Sequence, residues 1–330
     1  MKKIIIDMHG ADAGIIPIIN GAAQTLSTFD ELNLVLVGDT ATAKSVLNDC
    51  GADFSRIEFI DADDFITNHD PANCVFGGRD GSSMVKALLR LKSDDDCFAL
   101  ISAGSTGPLL VGSIFRLGLI EGIKCPALSC ALPTKSGKLV CLADCGANLE
   151  CPPKELLLYA LMGDAFMKCM CGIISPRVGL LSVGRERGKG TPNIIGAYDL
   201  IADAPVNFIG NVEGGDLNRD IADVIVAEGF AGNIMLKCDE ASGICAAEIA
   251  TEIAENDGHN GTVNKIKEAT EKVFDFNRKG GATFLGTAKT VIKMHGCATA
   301  ETVVSCCAQA LRLENAGFSE KIAQAVKRAK

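Results

Sequence analysis

The sequence predicts an α/β fold in which helices cover both faces of a mostly parallel sheet. Short apolar runs alternate with segments of helical periodicity along most of the chain, which is typical of strands joined by crossover helices. The runs at 206–209 and 224–227 are largely apolar, as expected for strands that are buried on both faces.

The predicted elements follow one another in a regular order. A strand at 3–7 leads through a glycine-containing loop into a helix at 17–29, which makes one β-loop-α unit. Further strands are predicted at 33–37, 56–60, 97–102, 178–183, 206–209, 224–227 and 290–294. Helices are predicted between and after these strands. One ends near residue 50, and the others cover 81–91, 154–170, 193–202 and 299–315.

Two segments depart from this alternation. Apolar runs at 127–132 and 139–143 flank a turn-rich connection, PTKSG, which predicts an inserted antiparallel hairpin. Two helical stretches within 238–278 are separated by the polar residues 256–261 and predict a protruding helical hairpin. We assign residues 1–330 to a single domain that contains this excursion.

Composition excludes several classes of protein. Of the 330 residues, 48% are hydrophobic and 22% are charged, as in a globular protein, and no apolar run reaches the roughly 18–20 residues that span a bilayer. The N-terminus has no signal-peptide cleavage pattern, so we expect a cytoplasmic location. A net charge of −9 argues against nucleic acid as a partner.

Metal and cofactor motifs are absent from the sequence. The 15 cysteines are spread through predicted strands and helices without a Cys-x-x-Cys pair, so we expect buried thiols and no metal. The first strand is not followed by Gly-x-Gly-x-x-Gly, and no Walker A motif occurs, so no cofactor is predicted.

Small and polar residues collect where predicted strands end. They occur at 7–12, 102–107, 144–148, 184–191 and 207–233. If the strands are parallel, these carboxyl ends lie at one edge of the sheet, which is the expected position of a ligand crevice.

Three of these loops suit an anion. The segment SAGSTG at 102–107 enters a helix whose N-terminus favours a phosphate, although its hydroxyls could equally cap the helix. GRERGKG at 184–190 carries three cations, of which Lys189 lies between two glycines and is expected to point inward. Asn211 and Asn233 can donate hydrogen bonds without charge, or can simply form turns.

No nucleophile system is recognisable, since the chain lacks a Gly-x-Ser-x-Gly elbow and no histidine lies in a motif with cysteine or serine. His295 follows the last predicted strand and precedes Gly296, where it could contact a ligand or be a structural histidine. Asp144 at another strand end could orient a ligand or cap the next helix.

Several of these segments together resemble the bacterial phosphate acyltransferases of the PlsX family. In chain order they are SAGSTG at 102–107, DCGAN at 144–148, PRVGLL at 176–181, Lys189-Gly190, NFIGNVEGGD at 207–216, GFAGN at 229–233 and IKMHG at 292–296. The similarity runs essentially end to end. Members of this family form acyl phosphate from acyl carrier protein and inorganic phosphate on the way to phospholipids.

The resemblance implies a homodimer with a Rossmann-like fold similar to phosphotransacetylases and the isocitrate dehydrogenase group, in which the helical hairpin extends at the dimer. It also implies direct attack of phosphate on a thioester. Phosphate is already anionic at neutral pH and needs no strong base, so the protein has to position it and stabilise the oxyanion and thiolate that develop.

The resemblance also assigns roles to residues. Lys189 and Asn233 are expected to act on the reacting groups. Contacts to phosphate or pantetheine are assigned to Ser102, Gly104, Thr106 and Asn148, and the shape of the pocket to Asp7, Gly10 and Asp12. Asn211 and His295 complete the substrate-binding set, with Asn211 expected to hold its loop in shape.

The sequence departs from the family in several loops. The first loop and the 102–107 loop differ without losing charge, with Ser105 in place of asparagine. The basic loop before SSM keeps Arg79 as its only cation, while Arg185 and Arg187 add positive charge beside Lys189. Because acyl carrier proteins are acidic, these three arginines are the predicted carrier-docking residues.

The hairpin tip at 256–261 is polar, whereas the family's tip is apolar, so we expect weak or absent membrane binding. Two alternatives to the long-chain carrier reaction remain open at this point. One is a short-chain phosphotransacetylase that uses acyl-CoA, and the other is a non-catalytic scaffold that binds acyl carrier protein.

Overall fold

A single mixed sheet runs through the computed structural model, which describes residues 2–256, 260–274 and 280–328. The strands in these ranges are β1 (Lys3–Asp7), β2 (Asn33–Gly38), β3 (Ile57–Asp61), β4 (Cys97–Ser102), β5 (Ala127–Pro133), β6 (Leu139–Ala143), β7 (Arg177–Leu181), β8 (Asn207–Val212), β9 (Val224–Val226), β10 (Ala282–Leu285) and β11 (Thr290–Lys293). Their order across the sheet is β3-β2-β1-β4-β11-β10-β5-β6-β9-β7-β8.

Helices pack on both faces of this sheet, which confirms the predicted fold class. They are α1 (Ile16–Thr28), α2 (Thr40–Asp49), α3 (Ser83–Ser93), α4 (Thr106–Gly112), α5 (Pro153–Cys171), α6 (Pro192–Ala202), α7 (Gly229–Asn256), α8 (Asn260–Phe274), α9 (Ala300–Asn315) and α10 (Phe318–Arg328). Alternate side chains of β1 show the layering: Ile5 packs with Leu88 of α3, while Ile4 and Ile6 pack with Ile18 of α1.

None of the helices in the described ranges is both long enough and apolar enough to cross a membrane.

The strands point in two opposite directions, in two parallel blocks. Strands β3, β2, β1, β4 and β11 form the first block, and β6, β9, β7 and β8 form the second. Between the blocks, β10 is antiparallel to β11 and to β5, and β5 is antiparallel to β6. The expectation that all strand ends lie at one edge of the sheet is therefore wrong, because hydrophobic periodicity carries no information on strand direction.

The two blocks are staggered, and they overlap at one row of residues. Ile292 of β11 pairs with Thr283, Thr283 with Ser129, and Ser129 with Ala143 of β6. Ile292 and Ala143 each lie near the carboxyl end of their strand, and only three strand spacings of about 4.8 Å separate them, roughly 14 Å in all. Loops from the two blocks can therefore approach each other at the centre of the sheet.

Other predicted elements are partly confirmed. The hairpin of β5 and β6 is antiparallel, as expected. The segment at 229–233 is the first turn of α7 rather than a loop, and β8 is a half-exposed edge strand rather than a strand buried on both faces. Strand β10 and helix α10 were not predicted, because the first is four residues long and follows two glycines, and the second follows α9 almost directly.

The helical hairpin corresponds to α7 and α8, which contact each other. Its predicted tip falls largely on 257–259, outside the described residues, as do 275–279 at the end of the predicted excursion. The assignment of residues 1–330 to one domain stays a prediction.

The glutamine of α9 at position 309 holds the start of β10. Its side-chain carbonyl accepts from the Gly281 N–H at 2.9 Å, and its NH₂ group donates to the Gly281 carbonyl at 3.1 Å and to Thr283 Oγ1 at 2.7 Å. Gln309 is 4% exposed, so these groups would find no water if the amide were lost.

We expect Gln309→Leu to lower the free energy of unfolding by about 2 kcal/mol, because it leaves buried backbone groups without partners. Urea denaturation followed by circular dichroism measures this loss. Gln324→Leu on the exposed side of α10 is the matched control, with an expected change within about 0.5 kcal/mol. Equal effects of the two substitutions would contradict the role given to Gln309.

Candidate active site

A cavity of about 260 Å³ lies where the two blocks of the sheet meet. Its walls combine Thr106 at the start of α4 and His295 after β11, from the first block, with Cys145 after β6 and Asn233 in α7, from the second. Lys293 at the end of β11 also lines it. The cavity is the place where the staggered blocks bring polar side chains from opposite strand ends together.

Beside this cavity, the loop after β4 is fixed to the end of β1. The Ser102 hydroxyl donates to Asp7 Oδ2 at 2.8 Å and accepts from the Gly104 N–H at 3.0 Å. Burial raises the pKa of Asp7, and the hydrogen bond from Ser102 opposes that shift. Gly10 has a φ of +98°, and a Cβ atom there would lie 2.4 Å from Gly104 Cα, so only glycine fits.

Ser102 and Asp7 therefore satisfy each other inside the protein. Both are buried, with 0% and 1% exposed, and neither lines the cavity. The predicted contact of Ser102 with a ligand stays a prediction, whereas Thr106, from the same loop, does line the cavity.

Asp12 lies against the segment that follows β11. Its backbone N–H donates to the Gly296 carbonyl at 2.8 Å, and its carboxylate is so close that a Cβ atom on Gly296 would lie 2.7 Å from Asp12 Oδ2. The predicted pocket-shaping residue thus contacts the backbone that carries Lys293 and His295.

The loop after β6 is organised by the carboxylate of Asp144. Asp144 is fully buried and accepts from the backbone N–H groups of Leu128, Gly146, Ala147 and Asn148 at 2.7–3.1 Å. Burial raises its pKa, while these hydrogen bonds and the one from the Asn148 amide act in the opposite direction. Asp144 therefore does not cap the next helix, α5, which begins at Pro153, but holds the loop after β6 in one shape.

Both N–H groups of the Asn148 amide are already engaged. They donate to the Pro126 carbonyl at 2.8 Å and to Asp144 Oδ2 at 2.9 Å. Its predicted contact with substrate would have to use the amide oxygen, so that role remains a prediction.

The start of α7 packs closely against this loop. A Cβ atom on Gly232 would lie 1.9 Å from the Asp144 carbonyl oxygen, so the glycine permits a contact that no other residue allows. The close approach places Asn233 at the cavity, where its Nδ2 donates to the Cys145 carbonyl at 3.1 Å. The second amide N–H and the oxygen of Asn233 face no partner among the described residues.

Glu228, between β9 and α7, joins three segments and was not singled out from the sequence. Its carboxylate accepts from the Cys151 N–H at 3.3 Å, Asn193 Nδ2 at 3.1 Å and Thr191 Oγ1 at 3.4 Å. A charged residue at the end of a buried strand, directly before GFAGN, was the available signal.

The basic loop at 184–190 lies apart from the cavity. Lys189 is exposed, its N–H donates to the Glu186 carbonyl at 3.0 Å, and its side chain is not among the described residues that line the cavity. Asn211 Nδ2 donates to the same Glu186 carbonyl at 2.9 Å. Of the two residues predicted to act on the reacting groups, Asn233 therefore lines the cavity and Lys189 does not.

All three predicted docking arginines form ion pairs. Arg79 contacts Asp64 at 2.6 Å and Asp70 at 3.0 Å. The other two pairs are Arg185 with Asp216 at 2.8 Å and Arg187 with Asp199 at 2.6 Å. Their charge is partly neutralised locally, which weakens their attraction for an acidic partner.

Lys293 lies in the motif IKMHG at 292–296, but it was not predicted as a site residue. Its ammonium donates to the Ala103 carbonyl at 3.3 Å and to the Met294 carbonyl. Burial lowers the pKa of Lys293 to about 8, against the opposing charge of Asp12. His295 beside it has its Nδ1 3.0 Å from Cys297 Sγ, and partial burial together with Lys237 lowers its pKa.

Comparison with known proteins identifies the family. A family model described as fatty acid synthesis protein matches residues 2–321. A phosphate acyltransferase from Acetivibrio thermocellus is 34% identical over 97% of this chain and 95% of its own length. Those from Bacillus subtilis, 34% identical over 99% of each chain, and Streptococcus pneumoniae, 36% identical over 92% and 93%, are similar as well. The chain belongs to the phosphate acyltransferase family.

Membership of this family confirms the resemblance drawn from the motifs and makes the chain an enzyme. Solved structures with the same fold include a phosphotransacetylase from Streptococcus pyogenes, with a TM-score of 0.62 and 15% identity over 99% of this chain and 94% of that one. A branched-chain phosphotransacylase from Enterococcus faecalis has a TM-score of 0.57 and 13% identity over 94% and 99%.

We expect Asp144→Asn to lower the free energy of unfolding by about 3 kcal/mol, because an NH₂ group replaces one oxygen that accepts from several buried N–H groups. Thermal and urea unfolding followed by circular dichroism measure the loss. Asp30→Asn, at an exposed turn position, is the matched control and should change stability by less than about 0.5 kcal/mol. If both variants are equally stable, Asp144 does not organise the loop.

Proposed function

We propose that the enzyme transfers an acyl group from the thioester of an acyl carrier protein to inorganic phosphate, giving acyl phosphate and the free carrier for phospholipid synthesis. The observation that supports it most is the cavity at the junction of the two blocks. There the cation of Lys293, the amide of Asn233 and the hydroxyl of Thr106 surround one space, in a chain whose relatives are named phosphate acyltransferases.

The composition of this cavity suits direct attack by phosphate. Phosphate needs positioning and a positive field, and the oxyanion that forms on the thioester carbonyl needs hydrogen-bond donors. Its volume of about 260 Å³ lies just below the usual range of about 300–1,000 Å³ for small-molecule pockets. It fits a phosphate and the reactive end of a thioester, while the acyl chain and pantetheine arm would extend outside.

A homodimer is part of the proposal. Helix α7 exposes large apolar side chains, with Phe230 61%, Ile244 53%, Ile249 54% and Ile253 58% exposed. Large apolar side chains exposed along one helix often mark a surface that packs against a protein partner. We also propose a cytoplasmic location. We further propose weak or absent membrane binding, which rests on the polar sequence of the hairpin tip.

The second candidate is a short-chain phosphotransacetylase that uses acyl-CoA, and the phosphotransacetylase fold supports it. The cavity favours neither donor, because both deliver the same pantetheine thioester. The nature of the carrier is therefore a question for assay.

We expect the purified enzyme to release thiol from a long-chain acyl carrier protein only when phosphate is present, with acyl phosphate trapped by hydroxylamine. With acetyl-CoA as the competing donor, kcat/KM should be at least about tenfold lower, which corresponds to ~1.4 kcal/mol of discrimination. A preference for acetyl-CoA would favour the phosphotransacetylase. Thiol release that does not depend on phosphate would contradict acyl transfer to phosphate altogether.

Two asparagine-to-alanine variants separate a reacting role from a structural one. We expect Asn233→Ala to lower kcat by about 10²–10³, the usual effect of losing one oxyanion donor, with less than ~1 kcal/mol lost in stability because its side chain is exposed. Asn211→Ala should mainly loosen the 184–190 loop, at a cost of about 1 kcal/mol in unfolding free energy.

Steady-state kinetics and urea unfolding of both variants test this division. Comparable losses of activity accompanied by comparable destabilisation would show that the two asparagines have the same role.

A further inference from the structure

The reaction proposed above releases a thiolate, and an alkyl thiol with a pKa near 8.5 leaves far more readily when it is protonated. Among the described residues, the cavity offers few groups that can supply a proton. The proposal below rests on the proposed function and identifies the residue that protonates the leaving sulfur.

Lys293 is the best placed of these groups. It lies at the end of β11, directly after the Ile292 of the row where the two blocks overlap, and it lines the cavity together with Asn233 and Thr106. The Ala103 and Met294 carbonyls accept two of the three ammonium N–H bonds and hold the group in place. The third N–H has no partner among the described residues.

The surroundings of Lys293 make it a usable acid at neutral pH. Burial lowers its pKa to about 8, close to that of an alkyl thiol, while the carboxylate of Asp12 limits the shift. The other ionisable groups that face it are Cys297 in the following loop and Cys306 of α9. His295 beside it and the ion pair of Lys237 with Glu240, which spans 2.7 Å, also line the cavity. A donor whose pKa matches that of the acceptor transfers a proton efficiently in both directions.

The other candidates in the cavity are less suitable. The pKa of His295 is lowered, so its ring is mostly neutral at pH 7, and its Nδ1 contacts Cys297 Sγ. A hydrogen bond with Cys130 and burial raise the pKa of the Cys145 thiol well above its usual range. The carboxylate of Glu240 is paired with Lys237.

We propose that Lys293 donates the proton that the departing pantetheine sulfur takes up, and recovers one from the attacking hydrogenphosphate. The phosphate oxygen forms a bond to the carbonyl carbon, the C–S bond breaks, and its electron pair goes to sulfur. The Lys293 ammonium protonates that sulfur. The neutral amine then accepts the proton that the phosphate loses on becoming acyl phosphate. The sum is hydrogenphosphate plus thioester giving acyl phosphate plus thiol, without an external acid or base.

The test varies the leaving group. Two thioesters of the same fatty acid serve as donors, one with pantetheine and one with 4-nitrothiophenol, whose thiolate is stable without a proton. We expect Lys293→Met to lower the phosphate-dependent rate with both donors, because it removes a cation from the cavity, but to lower it about 10²–10⁴ times more with the pantetheine thioester than with the aryl thioester. A loss that is the same for both donors would overturn the proposal.

A pH profile gives a second readout. With the pantetheine thioester, kcat of the wild-type enzyme should fall above about pH 8, where Lys293 loses its proton. Lys293→Arg keeps the positive charge but holds its proton too tightly to donate it, with a pKa above about 12. The Arg variant should be slow with the pantetheine thioester and should lack this descending limb. Wild-type activity in the Arg variant would overturn the proposal.

Lys289→Met is the matched control. Lys289 lies directly before β11 and is also held by carbonyls, those of Leu91, Asp94 and Cys97 at 2.8–3.0 Å, but it does not line the cavity. Its substitution is expected to reduce stability while leaving the ratio of the two thioester rates unchanged. Circular dichroism of all variants separates unfolding from loss of proton transfer.

The outcomes distinguish this inference from the function on which it rests. If the wild-type enzyme cleaves neither thioester in a phosphate-dependent manner, both the proposed function and the role of Lys293 are overturned. If the wild-type enzyme is active and Lys293→Met has the same ratio of pantetheine to aryl thioester rates as the wild type, only the role of Lys293 is overturned.

Discussion

The pairing register of the two central antiparallel strands is the constraint on which the candidate site depends. Strands β10 and β5 join two parallel blocks of opposite direction, and the register Ile292, Thr283, Ser129, Ala143 lets the carboxyl ends of both blocks reach the same row. A slip of one residue would turn every side chain of a strand to the other face of the sheet and would separate these ends. The site is therefore set by a register in the middle of the sheet, and the loops only complete it.

Rigid hydrogen bonding around that row leaves few groups free to act on a ligand. Asp144 holds the loop after β6, and the Asn148 amide is used in the same network. On the other side, Ser102 and Asp7 are bonded to each other. Among the described residues, the hydrogen-bond donors in the cavity include Asn233, Thr106, Lys293, His295 and Lys237, of which Lys237 is paired with Glu240. Such an arrangement costs little reorganisation when charge develops on a substrate.

Much of the fold could be predicted from the sequence, because buried strands, the hairpin of β5 and β6, and amphipathic helices each leave a local pattern. Strand direction could not be predicted, since a period of two residues is the same in either direction. The short β10 was missed for a related reason, as four residues after Gly280 and Gly281 carry little periodicity.

The site was predictable only in its residue types. Polar residues at strand ends marked the regions around Asp7, Ser102 and Asn148, but a partner can lie far away in the sequence, as with Asp7 and Ser102, which are 95 positions apart. Whether such a side chain faces a ligand or another part of the protein depends on these distant contacts. Lys293 was overlooked because a lysine at the end of an apolar strand is usually assumed to reach solvent.

The sequence assigned both carrier docking and action on the reacting groups to the loop at 184–190. The structure has cations both on that loop and in the cavity. Lys189 is exposed and outside the cavity, whereas Lys293 is partly buried within it, and Arg79, Arg185 and Arg187 are each paired with carboxylates. On a chain of net charge −9, the acidic carrier proposed above would be attracted by local cations, because salt screens exposed charges beyond about 8–10 Å. Lys189 is such a cation, since it is exposed and forms no ion pair with the described residues. The buried cation is then available for chemistry, because its environment, and not its distance from a partner, determines when it gives up a proton.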